Sequence, residues 1–124
     1  MKLDIPLEWQ RFKSRCVYSS AGLVLAWQEE HSFRFWTYMN LLSTSLSLSL
    51  PIPIVFRALI ICLGLLVLAA ERFHTTIEGV VNHLSPGPYP LAKAAKDAGS
   101  AGVAVTAFTA GMAWVFAVIF LFPA

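Results

Sequence analysis

Hydrophobic positions fall in four stretches along the chain, separated by polar or proline-bearing breaks. In Leu7–Arg34, apolar Leu7, Phe12, Val17, Leu23, Leu25, Trp27 and Phe33 interleave with Arg11, Lys13, Arg15, Gln28, Glu29, Glu30 and Arg34. Tryptophan and basic residues on such a segment predict an amphipathic helix lying in a membrane interface, taken here as 1–34. Gly22 weakens a helix locally, so two shorter helices are open. A soluble core helix is the competing reading, but the rest of the chain offers no soluble core to pack on. The stretch 35–56 holds no charged residue across 22 positions, enough for one crossing at about 1.5 Å rise per residue. Its middle, Ser43–Leu50, alternates as a strand would. A lone strand in lipid leaves its backbone unpaired, so a helix is predicted, with the small hydroxyl residues packing on neighbouring helices. Pro51-Ile52-Pro53 ends it in a tight return.

The uncharged run Ala58–Ala70 is only 13 residues, short for a crossing. The helix is therefore predicted to run over 57–84, with Arg57 snorkelling at one end and Glu71 at the hydrocarbon–headgroup boundary. Ser85-Pro86-Gly87-Pro88-Tyr89-Pro90 breaks it. Leu91–Asp97 reads as a polar connection or as the first turns of the next helix. Ala98–Ala124 carries no charge over 27 residues, and a span is predicted over 98–122. Gly99, Ser100, Ala101, Gly102, Ala107, Ala110 and Gly111 give that span a small-residue face for close helix contact.

Composition agrees. The 124 residues suffice for one domain, 1–124. Hydrophobic residues make up 57% and charged residues 13%, against roughly a quarter charged in a soluble domain. A small soluble protein needs polar residues to cover its surface, so lipid is the expected solvent; disorder is excluded by the same numbers. The expected fold is all-α: three transmembrane helices plus an N-terminal amphipathic interfacial helix. Met1–Arg15 is charged and has no apolar core, so it is not expected to act as a cleaved leader. Net charge is +2 and no basic run points to nucleic acid. Cys16 and Cys62 lack metal-ligand spacing and read as packing residues. Lys2, Arg11, Lys13, Arg15 and Arg34 precede the first span, and Arg72, Lys93 and Lys96 lie between the second and third. The positive-inside rule then places the N-terminus and 71–97 in the cytoplasm and the C-terminus outside.

Candidate chemistry collects on that cytoplasmic side. Glu71, His74, Thr75 and Glu78 are spaced i, i+3, i+4, i+7 and share one helix face. Two carboxylates and an imidazole at a membrane boundary are costly unless paired or metal-bound. Such a face can hold a divalent cation and still offer a carboxylate as base; the plainer reading is a solvated face partnered by Arg72. Lys96-Asp97 can balance phosphate charge and help orient a group or a metal, although the same pair also serves as ordinary helix-start chemistry. Of seven acidic residues, Glu30, Glu71, Glu78 and Asp97 fall where they could converge.

These residues carry a resemblance. Glu71-x-x-His74-Thr75-Thr76-Ile77-Glu78-Gly79-Val80-Val81, followed by Ala95-Lys96-Asp97-Ala98-Gly99-Ser100-Ala101, resembles the signature of the small prokaryotic diacylglycerol kinases, E-x-x-N-[ST]-[AS]-I-E-x-x-V-D and then A-K-D-x-x-[SA]-[AG]. Upstream, Ala26-Trp27-x-x-Glu30-x-x-Phe33-Arg34 is similar to that family's A-W-x-x-E-x-x-[FL]-R, and Arg11, Tyr18, Ser19 and Gly22 stand where its members have the same residue types. The resemblance covers about residues 11–122. It implies a homotrimer in the bacterial inner membrane, with the N-terminus cytoplasmic and the C-terminus periplasmic. It also implies phosphorylation of diacylglycerol to phosphatidic acid by ATP with Mg2+, in a site shared between subunits. Relatives of the Gram-positive type act on undecaprenol; the Ala-Lys-Asp-Ala-Gly-Ser wording is nearer the diacylglycerol type. The family's fold differs from that of P-loop kinases, consistent with the missing Gly-rich Lys-Ser/Thr loop. By position, Glu71 would be the base for the lipid hydroxyl. Glu30 and Glu78 would hold the metal and, with it, nucleotide. Lys96 would contact phosphate and Asp97 would help bind nucleotide. Arg11, Tyr18 and Ser19 are candidate nucleotide contacts, and His74 and Ser100 candidate substrate contacts.

The chain departs from that pattern. His74 stands for asparagine; it could hydrogen-bond substrate or a carboxylate, or join Glu78 on a softer ion such as zinc. Asn82 replaces an acidic residue, Ala21 a basic one and Trp36 a polar or acidic one, and the Ser85–Pro90 loop is richer in proline. Activity is expected to survive, since the carboxylates and Lys96-Asp97 remain. Two other classes stay open: a small proton- or metal-coupled transporter subunit, suggested by the acidic face, and a catalytically weak structural relative, suggested by His74.

Overall fold

The computed structural model describes residues 4–123, and all regular structure among them is helical. The helices are α1 (Ile5–Glu29), α2 (His31–Ser49), α3 (Ile54–Leu84) and α4 (Pro90–Leu121). Lys2, counted above among the basic residues, lies outside the described residues.

Helix α1 starts at Asp4, whose carboxylate accepts from the Leu7 amide at 3.4 Å. It runs through Gly22 without interruption, so the predicted weak point does not divide it. The break comes at Glu30, whose backbone is extended (φ −108, ψ 107). Arg34 caps the end of α1 from beyond the break, donating through Nη1 to the Trp27 and Gln28 carbonyls at 2.7 and 3.1 Å.

Helix α2 confirms the helical reading of the alternating Ser–Leu run. Its polar side chains fold back on the helix: Thr37 to the Phe33 carbonyl (2.8 Å), Asn40 to Trp36 (2.9 Å), Ser45 to Leu41 (2.7 Å) and Ser47 to Thr44 (2.8 Å). These bonds let hydroxyls and an amide sit in apolar surroundings. Helix α2 begins earlier than the predicted span 35–56 and stops at Ser49, because the Pro51-Ile52-Pro53 return takes the remainder and α3 opens directly after Pro53. Arg57 holds this corner: its Nε donates to the Ser47 carbonyl at 2.9 Å and Nη2 to Leu50 at 3.2 Å. The guanidinium thus caps the negative end of α2 and does more than snorkel.

Helices α3 and α4 form an antiparallel hairpin through Ser85–Tyr89 and make the largest contact in the fold; α2 packs on α3, and α1 touches α2 only lightly. Leu91–Asp97 forms the first turns of α4, so the helix predicted over 98–122 starts well before 98. Beside the Pro51 corner, Ile52, Ile60, Ala113 and Ala117 make a small core with Phe56, Leu63 and Trp114 around it. The Trp114 indole also donates to Ser43 Oγ at 2.8 Å, tying α4 to α2.

Among the described residues, α3 and α4 are the two helices long and apolar enough to cross a membrane. Only 22% and 17% of their most apolar windows are buried. A core helix of a soluble protein would bury this surface; here it faces outward, as lipid or a neighbouring copy requires. At about 1.5 Å per residue each helix is near 46–48 Å long, well beyond a hydrocarbon core of about 30 Å. Their polar ends lie on the side of the Ser85–Tyr89 turn, beyond the length that a hydrocarbon core would cover. The Glu30 corner reaches the same end through α2.

Candidate active site

Three elements meet at that end: the extended corner at Glu30, the start of α2, and the polar third of α3. Glu71 is buried (4% exposed) and accepts a hydrogen bond from Ser32 Oγ. Glu30 accepts from Arg72 through Oε1 and from Thr75 Oγ1 through Oε2 at 3.2 Å. Arg72 also lies over the Phe33 ring, 5.9 Å from its centroid. The i, i+4 geometry that aligned Glu71 with Thr75 also lets the Thr75 hydroxyl bond the Glu71 carbonyl at 3.1 Å. Glu71, Glu30 and their donors thus form one polar cluster linking α2 and α3, with every buried side-chain polar atom partnered among the described residues.

One turn further along α3, His74 Nε2 lies 3.4 Å from Glu78 Oε1, with the imidazole 16% and the carboxylate 45% exposed. The His74 ring packs on α4 at Gly99, where an added Cβ would come within 3.0 Å of Cδ2. Lys96 crosses from α4 to α3, donating to Asn82 Oδ1 at 2.9 Å. Asp97 is held by Lys93 on its own helix at 2.5 Å. The Lys96-Asp97 pair is therefore engaged by two different partners. Ser100 follows on α4 and is exposed. Arg11 is paired with Glu8 at 2.7 Å, and Tyr18 and Ser19 are exposed on α1, away from the carboxylates.

The sequence-predicted residues thus divide into two groups. Glu30, Glu71, His74, Glu78 and Lys96 lie at one end of the α2–α3–α4 bundle, with Asp97 and Ser100 beside them; Arg11, Tyr18 and Ser19 lie out along α1. Sequence reasoning missed Ser32 and Thr75 as partners of the two carboxylates. It gave Arg72 a general role as counter-ion to the α3 face, whereas its partner is Glu30.

No three His, Cys, Asp or Glu residues gather into a metal-holding cluster among the described residues. The donor chemistry still fits a divalent cation at Glu78, which is half open to solvent with His74 beside it. Glu30 fits one only when Arg72 gives it up. An open, mostly apolar depression of about 400 Å³ lies beside the Glu30 corner, lined by Leu23, Val24, Trp27, Phe33 and Leu68 together with the polar Gln28 and Thr37. A groove of about 380 Å³ runs between α3 and α4, with His74 and Gly99 in its walls.

Known proteins are similar to this chain in sequence. A family model described as prokaryotic diacylglycerol kinase matches residues 17–118. The diacylglycerol kinase of Pseudomonas aeruginosa is 37% identical over 94 residues, covering 74% of this chain and 76% of that protein. The diacylglycerol kinase of Escherichia coli is 33% identical over 97 residues, 78% of this chain and 80% of its own length. That of Haemophilus influenzae is 31% identical over 97 residues, with coverages of 78% and 82%. The matched range spans both carboxylate-bearing segments and all of α2 and α3, so this chain belongs to the prokaryotic diacylglycerol kinase family and is an enzyme of the lipid-kinase type.

Proposed function

We propose that the protein transfers the γ-phosphoryl group of ATP to diacylglycerol, giving phosphatidic acid and ADP, at the cytoplasmic face of the bacterial inner membrane. The observation that carries this reading is the buried Glu71 carboxylate accepting the Ser32 hydroxyl. A carboxylate held against an alcohol O–H, at the level where a hydrocarbon surface gives way to charged groups, is arranged for a lipid alcohol.

In this reading the lipid hydroxyl takes the place of Ser32 and gives its proton to Glu71. The hydroxyl oxygen forms a bond to the γ-phosphorus as the bond between that phosphorus and the ADP oxygen breaks. Phosphoryl transfer needs mainly positioning and charge neutralisation. Lys96 supplies a cation to the phosphates, and Asp97 orients the nucleotide. Arg11, Tyr18 and Ser19 extend the nucleotide contacts, while His74 and Ser100 border the substrate. Glu78 and, once Arg72 releases it, Glu30 would hold Mg2+, which would supply positive charge to offset that of the nucleotide phosphates. The open apolar depression beside Trp27 and Phe33 suits an acyl chain lying along the surface, with Leu68 one turn before Glu71 on α3. Helix α2 provides a third crossing, and three copies assemble with the N-termini in the cytoplasm and the C-termini in the periplasm.

The test is a panel of lipid alcohols with labelled ATP and detergent-purified protein. Diacylglycerol is expected to be the best acceptor; a strong preference for undecaprenol would move the chain to the other branch of the family. Glu71→Gln should lower kcat by at least about a hundredfold, the usual contribution of a general base, with the KM for ATP little changed. Undiminished turnover in that variant would remove Glu71 as base. A transporter is not favoured, because the acidic residues of the bundle sit at one end and not along a path through it.

A further inference from the structure

We infer that Ser32 is itself a phosphoryl acceptor: with no lipid alcohol bound, the site transfers the γ-phosphoryl group of ATP to the Ser32 hydroxyl and leaves a phosphoserine at the start of α2. The inference deepens the kinase reading and rests on it for Glu71 as the base.

The hydroxyls of this chain are not equivalent. Thr37, Ser45, Ser47, Thr76 and Thr106 give their protons to backbone carbonyls of their own helices, which hold such a proton but cannot take it. Ser32 instead donates to the Glu71 carboxylate, on another helix and 39 positions away. A base within hydrogen-bond reach is what activates a hydroxyl nucleophile. Thr75 also faces a carboxylate, Glu30, at 3.2 Å. It stands in the body of α3, only partly exposed, and its hydroxyl is shared with the Glu71 carbonyl at 3.1 Å.

Position favours the product as well as the step. Glu71 is buried, whereas Ser32 is exposed at the second residue of α2, so a phosphate can approach the hydroxyl oxygen from water. Glu30 precedes α2 without a side-chain bond to its opening amides. Those amides have no partner within the helix and suit phosphate oxygens at its positive end. Arg72, held at Glu30, brings a guanidinium to the same corner. In the step, Ser32 Oγ forms a bond to the γ-phosphorus, the bond from that phosphorus to the ADP oxygen breaks, and the Ser32 proton passes to Glu71. The proton leaves Glu71 neutral, so its charge does not oppose the new phosphate. The acceptor is consumed, so transfer stops at one phosphate per chain.

The test incubates delipidated, detergent-purified protein with γ-labelled ATP and Mg2+, quenches in acid and maps phosphate along the chain by mass spectrometry. Phosphoserine survives acid, whereas phosphohistidine and acyl phosphates do not. Label should rise to no more than one phosphate per chain and map to Ser32, and saturating diacylglycerol should suppress it. Ser32→Ala should lose the label, and Ser32→Thr, which keeps a hydroxyl, should retain it at position 32. Glu71→Gln should slow labelling by at least about a hundredfold, the usual contribution of a general base. If Ser32→Ala misfolds, as judged by gel filtration, the map in wild type and in Ser32→Thr decides. Label confined to other residues, label at Ser32 undiminished in Glu71→Gln or by diacylglycerol, or ADP release with no label on the chain overturns the inference. Transfer to diacylglycerol without label at Ser32 sinks the inference and spares the kinase reading. Label at Ser32 without transfer to any lipid alcohol sinks the lipid-kinase reading alone.

Discussion

Arg72 is the residue whose role most depends on what surrounds it. It stands between Glu71 and Glu78 in sequence yet gives its guanidinium to Glu30, a residue 42 positions away. The pair is only partly exposed, 27% for the arginine and 17% for the glutamate. Removing one partner of a fully buried pair costs about 3–5 kcal/mol; solvent screening of this one reduces that to roughly 1–2 kcal/mol. Arg72→Gln should therefore lower the midpoint of thermal unfolding. If Glu30 binds the cation during turnover, the same variant should need less divalent metal for half-maximal activity, because a competitor has gone. Lower stability together with an unchanged metal requirement would mean that Arg72 only pins the corner. The carboxylates themselves were legible in the sequence, since Glu71 and Glu78 share a helix face by spacing alone. Their partners were not. Ser32 and Arg72 reach Glu71 and Glu30 across the α2–α3 packing, and long-range pairing leaves no local periodicity to read.

At the scale of the helices, the type of each element was legible in the residues and its ends less so. Proline at 51 and 53 marked the α2–α3 return, and lipid's demand for paired backbone groups decided helix over strand in the Ser–Leu run. The position of the α1–α2 break was hidden because Glu30 is held extended by tertiary partners, while Gly22 is tolerated in an exposed helix at a cost of only about 1 kcal/mol. Close packing of α2 on α3 depends on Gly64. A Cβ added there would clash with Asn40 Oδ1, and the Asn40 amide is already committed to the Trp36 carbonyl at 2.9 Å. Gly64→Ala must push the amide out of that hydrogen bond, at about 1 kcal/mol, and strain the contact besides. We expect a loss of about 1–2 kcal/mol in detergent unfolding, in the range of overpacking penalties. In Asn40→Ala the same glycine substitution should cost much less. A double-mutant cycle measures that coupling, and additive losses would show that the two residues do not constrain each other.

At the scale of the molecule, α1 sets a problem that one chain does not solve. It is a single helix through Glu29, so Arg11 stands about 28 Å along its axis from Glu30 and Tyr18 about 18 Å, at about 1.5 Å per residue. Among the described residues, the side-chain partner to which Arg11 hydrogen-bonds is the neighbouring Glu8. If Arg11 touches nucleotide, it must do so at the carboxylates of another copy. The outward-facing apolar surfaces of α3 and α4 give such a copy somewhere to pack. Mixing subunits then separates the two arrangements. Arg11→Ala retains a working carboxylate cluster, and Glu71→Gln retains a working α1; each alone should be nearly inactive. In a cyclic trimer where each cluster is completed by the next subunit's α1, random equal mixing leaves about one site in four with both good halves. Refolding the two variants together should restore about a quarter of wild-type turnover, whereas refolding them apart and then combining them should restore none. Co-refolded activity no higher than the sum of the two parents would confine each site to a single chain, and Arg11 would then serve the membrane interface and not the nucleotide.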